Sequence, residues 1–334
     1  MRGLGQAAGF TRLDWVRRQL LDAAGIDPHP GTLNLEVLDE HLAEWSDWRA
    51  LEGEPLDAPD AGYCAARCYP VRIDGRLPAA IVLPQVPAYP QHKLELVAAL
   101  PVREHLALAE GARVRVDACA PLAAKAVLFD LDGTLVDSVG AYLEVARAAA
   151  RHHGLEVTEL QVRHALCSGT SFWKGVIPEG SVDGETLRKA LFAHAAREWP
   201  RLLREHARPF SGLAATLDAL RGRGLALGIV SGARPEVLEL LRDVLDRFDA
   251  VVLGQDVAQR KPHPEGLLKC LRQLGVEASD AVYVGDTPVD IQASRAAGAR
   301  AIGVLSGAGD SALLSAHGPD RLACSHARLP ALLA

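Results

Sequence analysis

The sequence has no excess of basic residues, no long apolar run and no paired cysteine motif. Its 36 lysines and arginines stand against 42 aspartates and glutamates, so the formal net charge is −6. Without a basic field, the chain is a poor partner for a nucleic-acid backbone, and we expect it to bind none. It also lacks the roughly 18 consecutive apolar residues of a membrane span and the apolar core of a signal peptide. We therefore expect a cytoplasmic protein that does not enter a membrane.

The six cysteines are scattered along the chain rather than grouped in CxxC pairs, which argues against both a disulfide scaffold and a zinc site. With 334 residues, of which 49% are hydrophobic, the chain is longer than a single core needs. We therefore expect two domains, with a boundary near residues 121–124, where the pattern of the sequence changes.

Short apolar runs alternate with amphipathic stretches in the C-terminal part, residues 125–334. The runs predicted to be strands are 126–129, 225–230, 250–253, 281–284 and 301–304. Strands separated by helical periodicity are typical of a parallel α/β sheet. About 90 residues separate the first two strands, far more than a crossover needs. We therefore predict an inserted helical cap at about residues 140–208.

The N-terminal part, residues 1–121, has a different pattern. A helix is predicted at 11–24, closed by Gly25, and strand-like segments follow at 33–38, 63–73, 79–83 and 113–116. Prolines at 84, 87, 90 and 101 interrupt any long helix in this region. The pattern predicts a small, mostly β domain.

The stretch KAVLFDLDGTLVDS, residues 125–138, places three aspartates directly behind a short apolar strand: Asp130, Asp132 and Asp137. Neighbouring carboxylates repel one another, so they mark either a solvated loop or a metal site. Further motifs that follow later strands contain Ser231 in IVSGARPE, Lys261 in QRKPHPE, and Asp286 with Asp290 in YVGDTPVD. Because the carboxyl ends of parallel strands meet at one edge of a sheet, we expect these groups to form a single site.

The chemistry of phosphoryl transfer fits these carboxylates. Asp130 is the predicted nucleophile, which would form an acyl phosphate. The side chain of Asp132 is predicted to protonate the leaving alkoxide and then to activate water. We expect magnesium to be held by Asp130, the backbone carbonyl of Asp132 and Asp286, with Asp290 in support.

The other polar residues of the motifs have separate expected roles. Ser231 and Lys261 are predicted to donate hydrogen bonds to phosphate oxygens. As a compact point charge, Lys261 is also expected to steady the aspartates against their mutual repulsion. Asp137 is expected to lie outside the core chemistry.

The stretches DLDGTLVDS, VSG, KPHPE and GDTPVDIQASRAAG, taken in this order, resemble the four motifs of the haloacid dehalogenase superfamily. The resemblance covers residues 125–334 and is closest to the phosphatase branch related to phosphoglycolate phosphatase and β-phosphoglucomutase. It implies a Rossmann-like sheet with a helical cap inserted after the first motif. An aspartate at position 132 implies a phosphatase or phosphomutase that acts on a small phosphate ester.

A glycine-punctuated stretch in the predicted cap, SGTSFWKGVIPEG at residues 168–180, has two interpretations. Thr170, Ser171, Trp173 and Lys174 would suit a loop that closes over a phosphate ester carrying a ring or sugar. Trp173 would equally well pack the interior of the cap. The sequence leaves this choice open.

The N-terminal segment offers a second candidate site. Gly3, Gly5 and Gly9 would let backbone amides approach a phosphate ahead of a helix. Thr32 and Asn34, in HPGTLNLEV, alternate along an extended strand and so share a face. Their neutral oxygens would contact one cation or one phosphate, or else belong to a turn and a strand edge.

The G-L-G start, PHPGTLNL, ARCYPVRIDGRLPAAIVLP and LELVAALPVREHLALAEGARVRV together resemble the archaeal CTP-dependent riboflavin kinases, over nearly all of residues 2–117. That resemblance implies a small β-barrel in which Gly3 and Gly5 help to bind CTP. It also implies that Thr32 and Asn34 hold magnesium and that Glu95 is a catalytic or ligand-positioning carboxylate. Two departures occur, with Tyr89-Pro90 in place of the family's His-Pro and Ala99-Leu100 in place of its Ala-Pro.

These resemblances lead to one principal hypothesis and two alternatives. The principal one is a bifunctional enzyme, in which a magnesium-dependent phosphatase is fused to a CTP-dependent kinase. The kinase would phosphorylate riboflavin, which gives FMN, or a similar small alcohol. In the first alternative, only the phosphatase is active and the N-terminal domain binds nucleotide or flavin as a regulator. In the second, that domain mediates assembly of an oligomer.

Overall fold

The computed structural model describes residues 6–60, 62–87, 89–169, 171–177 and 184–334. The chain divides into two compact units, of which the first comprises Met1–Ala120 with Ser311–Cys324 and the second Pro121–Asp310 with Ser325–Ala334. The segment Ser311–Cys324 therefore groups with residues almost 200 positions earlier. The ranges 1–121 and 125–334 for two functional domains stay a prediction. Among the described residues, no helix is long and apolar enough to cross a membrane.

The regular elements of the described residues are numbered along the chain. The strands are β1 Leu33–Glu36, β2 Glu54–Leu56, β3 Ala66–Ile73, β4 Leu77–Pro84, β5 Lys93–Val97, β6 Val116–Ala118, β7 Ala126–Phe129, β8 Val136–Asp137, β9 Arg208–Pro209, β10 Ala226–Ser231, β11 Ala250–Leu253, β12 Ala281–Gly285, β13 Arg300–Val304 and β14 Arg321–Ala323. The α-helices are α1 Gln6–Phe10, α2 Asp14–Ala24, α3 Leu42–Arg49, α4 Val102–His105, α5 Val139–His152, α6 Glu159–Cys167, α7 Phe172–Val176, α8 Gly184–His206, α9 Leu213–Arg221, α10 Glu265–Leu274, α11 Pro288–Ala297, α12 Ser311–Ala316 and α13 Leu329–Leu332. Short 3₁₀ helices lie at Asp39–His41, Pro235–Leu241, Leu245–Arg247, Ala278–Asp280 and His326–Arg328.

The first unit is built on an antiparallel sheet in the order β1-β5-β4-β3-β2, and β6 also pairs with β3. Strands β3 and β4 form its longest pairing, from Ala66 opposite Pro84 to Ile73 opposite Leu77. The turn between them contains Asp74 and Gly75, both with positive φ, as a tight connection of two antiparallel strands requires.

Both faces of this sheet are covered, which explains why β4 is buried along almost its whole length. On one face, Ile81 and Leu83 join a core that includes Trp45 of α3. On the other face, alternate β4 residues pack with Leu20 and the rest of the buried side of α2. Side chains of a strand alternate between faces, so a strand covered on both sides is apolar at every position.

Strands of the second unit form a parallel sheet in the order β11-β10-β7-β12-β13. Strand β7 lies in the middle, paired with β10 on one side and with β12 on the other. All four residues of β7 are buried, as expected for a parallel strand covered on both faces. The carboxyl ends of these strands meet at one edge, where the predicted motifs lie.

Helices α5 to α8 occupy the long segment between β7 and β10. The segment begins and ends at a short antiparallel pair, in which Val136 of β8 lies opposite Pro209 of β9 and Asp137 opposite Arg208. Helices α5 and α8 pack against each other, because each buries apolar residues at helical spacing. The chain thus leaves the sheet and returns to it at the same place.

Several predicted elements have different limits in the structure. The predicted helix at 11–24 begins only at Asp14, since Arg12 and Leu13 donate backbone bonds to Gly9 and Phe10 in preceding turns. The prediction of a strand at 113–116 is wrong except for its last residue. The Asp74 carboxylate accepts the Arg115 backbone N–H, so pairing with β3 starts at Val116 and runs to Ala118. Strands β2 and β5 were not expected.

Candidate active site

The predicted residues of the second unit lie together at the carboxyl edge of its parallel sheet. Asp130 follows β7, Ser231 ends β10, and Asp286 follows β12. They line a cavity of about 410 Å³, to which Lys261 from the loop after β11 also contributes. Residues of the α5 to α8 segment, among them Tyr142, line the same cavity. The motifs that are far apart in sequence therefore form one site.

Asp130 continues the register of β7 because its N–H donates to the carbonyl of Val284, at 2.8 Å. This bond fixes the backbone of Asp130, a buried residue that is 7% exposed and lines the cavity. Burial raises the pKa of Asp130 to about 6, and the charge of Lys261 opposes that rise. An ionised carboxylate in this position is a competent nucleophile that depends on neighbouring positive charge.

Lys261 is the centre of the charge network. Its Nζ donates to Asp130 Oδ1 at 2.8 Å, to Tyr283 Oη at 2.8 Å and to Asp290 Oδ1 at 2.5 Å. Burial alone would lower the pKa of Lys261, but Asp130 and then Asp290 raise it well above its usual range. All three ammonium hydrogens are therefore engaged, which favours the steadying role over direct donation to phosphate.

Tyr283 gives this lysine a rigid support. The Tyr283 hydroxyl donates to the carbonyl of Val230 at 2.7 Å, so its oxygen remains available to accept from Lys261. Val230 directly precedes Ser231. The tyrosine thus links the end of β10 to the lysine in the loop after β11. Sequence reasoning missed it, although a tyrosine hydroxyl inside a buried strand needs a partner and so indicates a network.

Asp286 is held from both sides. Thr134 Oγ1 donates to its Oδ1 at 3.3 Å and the Ala308 N–H donates to its Oδ2 at 2.7 Å. The approach is so close that a Cβ on Gly133 or Gly307 would overlap this carboxyl group. Burial, followed by the charge of Asp290, raises the pKa of Asp286 well above its usual range. Glycine at both positions is therefore a steric requirement of the site.

Asp290 is fixed by the start of α11. Its Oδ2 accepts from the Thr287 N–H at 3.0 Å and from Thr287 Oγ1 at 2.6 Å, which is the geometry of a capping box. Its Oδ1 is the oxygen that accepts from Lys261. Helix capping therefore sets the position of this carboxylate relative to the rest of the site.

The donor set suits a hard divalent cation. Among the described residues, Asp130, Asp286 and Asp290 each offer a carboxylate oxygen, and these oxygens lie within 4.8 Å of one another. Carboxylate oxygens are the ligands that magnesium prefers. Three buried acids with one lysine leave negative charge that a dication would neutralise, so the residues present fit the predicted ion.

Asp132 has a different environment from the other acids. Its Oδ2 accepts a hydrogen bond from the Tyr142 hydroxyl at 3.0 Å. Its Oδ1 is buried and accepts no hydrogen bond of good geometry from the residues that the structure describes. Burial raises the pKa of Asp132, and hydrogen bonding with the hydroxyls of Ser138 and Tyr142 opposes that rise. Sequence reasoning missed Tyr142, whose position in an ordinary amphipathic helix gave no signal.

Ser231 has its hydroxyl oxygen oriented by the following turn. The Ala233 N–H donates to Ser231 Oγ at 3.2 Å, so the serine O–H remains as a donor toward the cavity that the residue lines. Arg260 is a further cavity residue that sequence reasoning missed, although it directly precedes Lys261. Because Lys261 donates to carboxylates, Arg260 is, among the described residues of the lining, the positive charge that remains for a bound anion.

The predicted cap stretch divides into separate environments. Trp173 is buried, and its ring contacts Phe172 edge to face at 5.1 Å. Ser171 lines the cavity, whereas Trp173 does not, so packing is the interpretation that the structure favours for this tryptophan. Lys174 is exposed, and Thr170 lies outside the described residues.

The predicted magnesium ligands of the first unit share an unusual property. Thr32 Oγ1 and Asn34 Oδ1 are both buried and, within the described part of the chain, neither has a hydrogen-bond partner. Buried polar atoms normally have partners, so the two oxygens fit a site for a cation. Gly3 and Gly5, the predicted CTP contacts, lie outside the described residues. Thr11 accepts the Gly31 N–H at 2.8 Å, which ties the segment before α2 to the GTLN motif.

Glu95 lies beside these oxygens in the sheet. It is the direct cross-strand partner of Asn34, so the two side chains are on the same face. Its Oε1 accepts from Tyr89 Oη at 3.1 Å and also from Lys93. Burial raises the pKa of Tyr89, followed by the charge of Glu95, which keeps the hydroxyl a donor. Tyr89 stands where the kinase family has His-Pro, and it contacts the predicted acid directly.

Comparisons with known proteins agree with the two resemblances. Residues 127–304 match the family model described as "Haloacid dehalogenase-like hydrolase". Residues 1–118 match the model CTP-dep_RFKase, described as "Domain of unknown function DUF120". A phosphoglycolate phosphatase of Xylella fastidiosa is 38% identical over 180 residues, which cover 52% of this chain and 77% of the relative.

More distant relatives extend the comparison. An N-acetylmuramic acid 6-phosphate phosphatase of Pseudomonas aeruginosa is 32% identical over 190 residues, or 55% of this chain and 82% of the relative. The solved structure of a hydrolase from Pseudomonas syringae has a TM-score of 0.52 and 24% identity, covers 59% of this chain and 92% of its own, and supports the fold. The chain therefore belongs to the haloacid dehalogenase-like hydrolases, is a phosphoric monoester hydrolase, and carries an N-terminal domain that resembles the CTP-dependent riboflavin kinases.

Proposed function

We propose that residues 125–334 hydrolyse a small phosphate ester through an aspartyl-phosphate intermediate. Asp130 attacks phosphorus, Asp132 gives its proton to the leaving alkoxide, and Ser231 donates to a phosphate oxygen. Lys261 holds the nucleophile in place and limits repulsion among the acids. The observation that carries the proposal is the bonding of Lys261 to both Asp130 and Asp290 beside a cavity large enough for a small ester.

Asp130 and Asp286 would hold magnesium, with the backbone carbonyl of Asp132 as a further ligand and Asp290 in support. When bound, the ion supplies charge neutralisation for the phosphate and for the carboxylates. The residues themselves orient the nucleophile and exclude water from it. We also propose that the segment of helices α5 to α8 acts as a cap, because residues of α5, of α6 and of the loop between α6 and α7 line the same cavity as the motif residues.

The proposed substrate class is a small phosphate ester that carries a further negative charge, of which 2-phosphoglycolate is the test compound. The Xylella fastidiosa relative that is named phosphoglycolate phosphatase shares 38% identity with this chain over 180 residues, which supports the class. Arg260 lines the cavity and would pair with a carboxylate on the substrate.

The test is phosphate release from 2-phosphoglycolate with magnesium by the full chain and by Asp130→Asn. Asp137→Asn is the matched control, since Asp137 belongs to the same motif but is exposed on β8. We expect the Asp130 variant to lose at least about a thousandfold in kcat, as removal of a nucleophile does, and the control to retain its rate. A wild-type chain that releases no phosphate from this ester or from p-nitrophenyl phosphate would contradict the proposal.

The N-terminal unit supports a second candidate function, a CTP-dependent kinase that acts on riboflavin or a similar small alcohol. The specific observation is the pair of buried oxygens on Thr32 and Asn34 that lack partners in the described structure, next to the Glu95 carboxylate. In this proposal Thr32 and Asn34 hold magnesium with the nucleotide. Glu95 positions or deprotonates the attacking hydroxyl.

The kinase test uses the full-length Asp130→Asn variant, in which product is not hydrolysed. It is incubated with magnesium, riboflavin and either CTP or ATP, and FMN is followed by chromatography. FMN formed with CTP and lost on adding Asn34→Ala supports the kinase, and Glu36→Gln on the same strand is the control. CTP binding measured by calorimetry without turnover of riboflavin or other small alcohols favours the alternative, a phosphatase with a regulatory N-terminal domain.

A further inference from the structure

The carboxyl group of Asp132 has two oxygens in unlike environments. Its Oδ2 accepts from Tyr142 Oη at 3.0 Å, whereas its Oδ1 is buried and, within the described residues, accepts no hydrogen bond of good geometry. The Ser138 hydroxyl, which lines the same cavity, also interacts with this carboxyl group. Both Asp132 and Tyr142 line the cavity that contains Asp130. A buried carboxyl oxygen without a partner is costly unless another group completes its bonding, and the open cavity is where a substrate would do so.

We propose that Tyr142 is a positioning residue: its hydroxyl clamps the Asp132 carboxyl group by a hydrogen bond to Oδ2, so that Oδ1 is the oxygen that exchanges a proton with substrate. This inference rests on the proposed phosphatase function and refines it. The clamp comes from helix α5, outside the four motifs, and therefore makes the orientation of the acid depend on the inserted helical segment.

The proton follows a balanced path in this scheme. An oxygen of Asp130 forms a bond to phosphorus while the bond from phosphorus to the alkyl oxygen breaks. The departing oxygen takes the proton from Oδ1 of Asp132, which yields the alcohol and an acyl phosphate. Oδ1 then takes a proton from water as the water oxygen attacks phosphorus, so phosphate is released and both carboxyl groups return to their starting forms.

The Tyr142 ring is held by neighbours on two other helices. Its centroid lies 4.7 Å from that of Trp199 on α8 and 6.0 Å from that of Phe172 on α7. This packing restricts the ring and with it the position of the hydroxyl. A tyrosine hydroxyl is protonated near neutral pH, since its ordinary pKa is about 10, so it is a donor to Oδ2.

The experiment compares phosphate esters that differ in their need for an acid. The alkoxides of 2-phosphoglycolate and β-glycerophosphate must be protonated as they leave, whereas the nitrophenolate of p-nitrophenyl phosphate needs little help. We measure kcat/KM, which reports formation of the phosphoenzyme, and take the ratio of alkyl to aryl ester. Tyr142→Phe keeps the ring and removes the hydroxyl. It is expected to lower this ratio at least about tenfold, part of the factor that general acids supply.

Two further variants serve as the reference and the control for Tyr142→Phe. Asp132→Ala should lower the same ratio by more than Tyr142→Phe does. Tyr69→Phe, which removes a tyrosine hydroxyl that donates to the Leu51 carbonyl in the first unit, should leave the ratio unchanged. An equal loss with both ester types in Tyr142→Phe, or no loss, overturns the inference while the phosphatase proposal stands. If Asp132→Ala itself shows no preference, the proposed role of Asp132 fails. A wild-type chain that hydrolyses none of the three esters overturns both.

Discussion

Replacing Lys261 by methionine removes an ammonium group that three buried oxygens share. The Lys261 and Asp130 side chains are only 14% and 9% exposed, and Nζ lies 2.8 Å from Oδ1. At an effective dielectric constant of about 20, two unit charges at that separation attract by about 6 kcal/mol. Desolvation of the lysine offsets part of this attraction. Removal of one partner from a buried pair costs about 3 to 5 kcal/mol in the free energy of unfolding, and we expect Lys261→Met to fall in that range.

Lys125→Met is the matched control for this prediction. Lys125 Nζ lies 2.7 Å from Asp280 Oδ2, nearly the same distance, but the side chains are 73% and 40% exposed. Exposed pairs are screened by water and contribute little. Urea denaturation at pH 7.5 in EDTA, followed by circular dichroism, should show a large drop in midpoint for Lys261→Met and almost none for Lys125→Met. Equal midpoints in the two variants would refute the argument from burial.

The stability loss of Lys261→Met should depend on pH and on magnesium if its cause is electrostatic. Burial raises the folded-state pKa of Asp130 to about 6, above its unfolded value, so the folded state binds more protons and gains stability as the pH falls through that range. Without the lysine, the stability gained on protonation of Asp130 should be larger. The difference in the free energy of unfolding between the wild-type chain and Lys261→Met should therefore become smaller from pH 8 to pH 5.5. It should also become smaller when magnesium is added at pH 7.5.

Three further predictions concern separate residues. Gly307→Ala would place a Cβ against the Asp286 carboxyl group and should raise the magnesium concentration for half-maximal phosphatase activity at least about tenfold. Gly140→Ala is the control, because an added Cβ there meets its nearest atom at 3.8 Å, and it should leave that concentration unchanged. Equal values in the two variants would contradict the steric argument. Burial lowers the pKa of His326 in the folded state. The unfolded state, in which the imidazole has a pKa of about 6.5, therefore binds more protons than the folded state. The melting temperature should therefore fall from pH 7 to pH 5, and less steeply in His326→Gln; parallel curves would exclude this histidine as the cause. Arg260→Gln should raise KM for 2-phosphoglycolate more than KM for p-nitrophenyl phosphate, and an equal effect on both would exclude pairing with the carboxylate.

The positions of the motif residues could be predicted because local sequence decides where a parallel strand ends. The run Ala126–Phe129 forms a strand with the expected limits, and Asp130 follows at once. Strand β12 ends in the same way, with Gly285 as its last residue and Asp286 directly after it. Once each strand end is known, parallel pairing brings the groups to one edge, so Asp130, Ser231 and Asp286 meet without any further information.

The parts that could not be predicted depend on contacts between distant segments. Tyr142 looks like an ordinary residue of an amphipathic helix, and only the fold of α5 brings its hydroxyl to Asp132. Strand β5 lies outside the predicted segments. Lys93 and Glu95 place charge on one of its faces, and only packing of Leu94 and Leu96 into the core of the folded sheet buries the other. The membership of Ser311–Cys324 in the first unit has no local signal at all.

The two predicted magnesium sites differ in charge, and this difference separates their behaviour. Asp130, Asp286 and Asp290 supply three carboxylates, so the site in the second unit attracts a dication before any substrate is present. Thr32 and Asn34 supply two neutral oxygens, which cannot offset the cost of removing water from magnesium unless phosphate groups add negative charge. Magnesium alone should therefore raise the melting temperature of the wild-type chain through the phosphatase site, and Asp286→Ala should abolish that gain. Asn34→Ala should instead leave it intact and affect only the additional stabilisation that appears when CTP is present with magnesium.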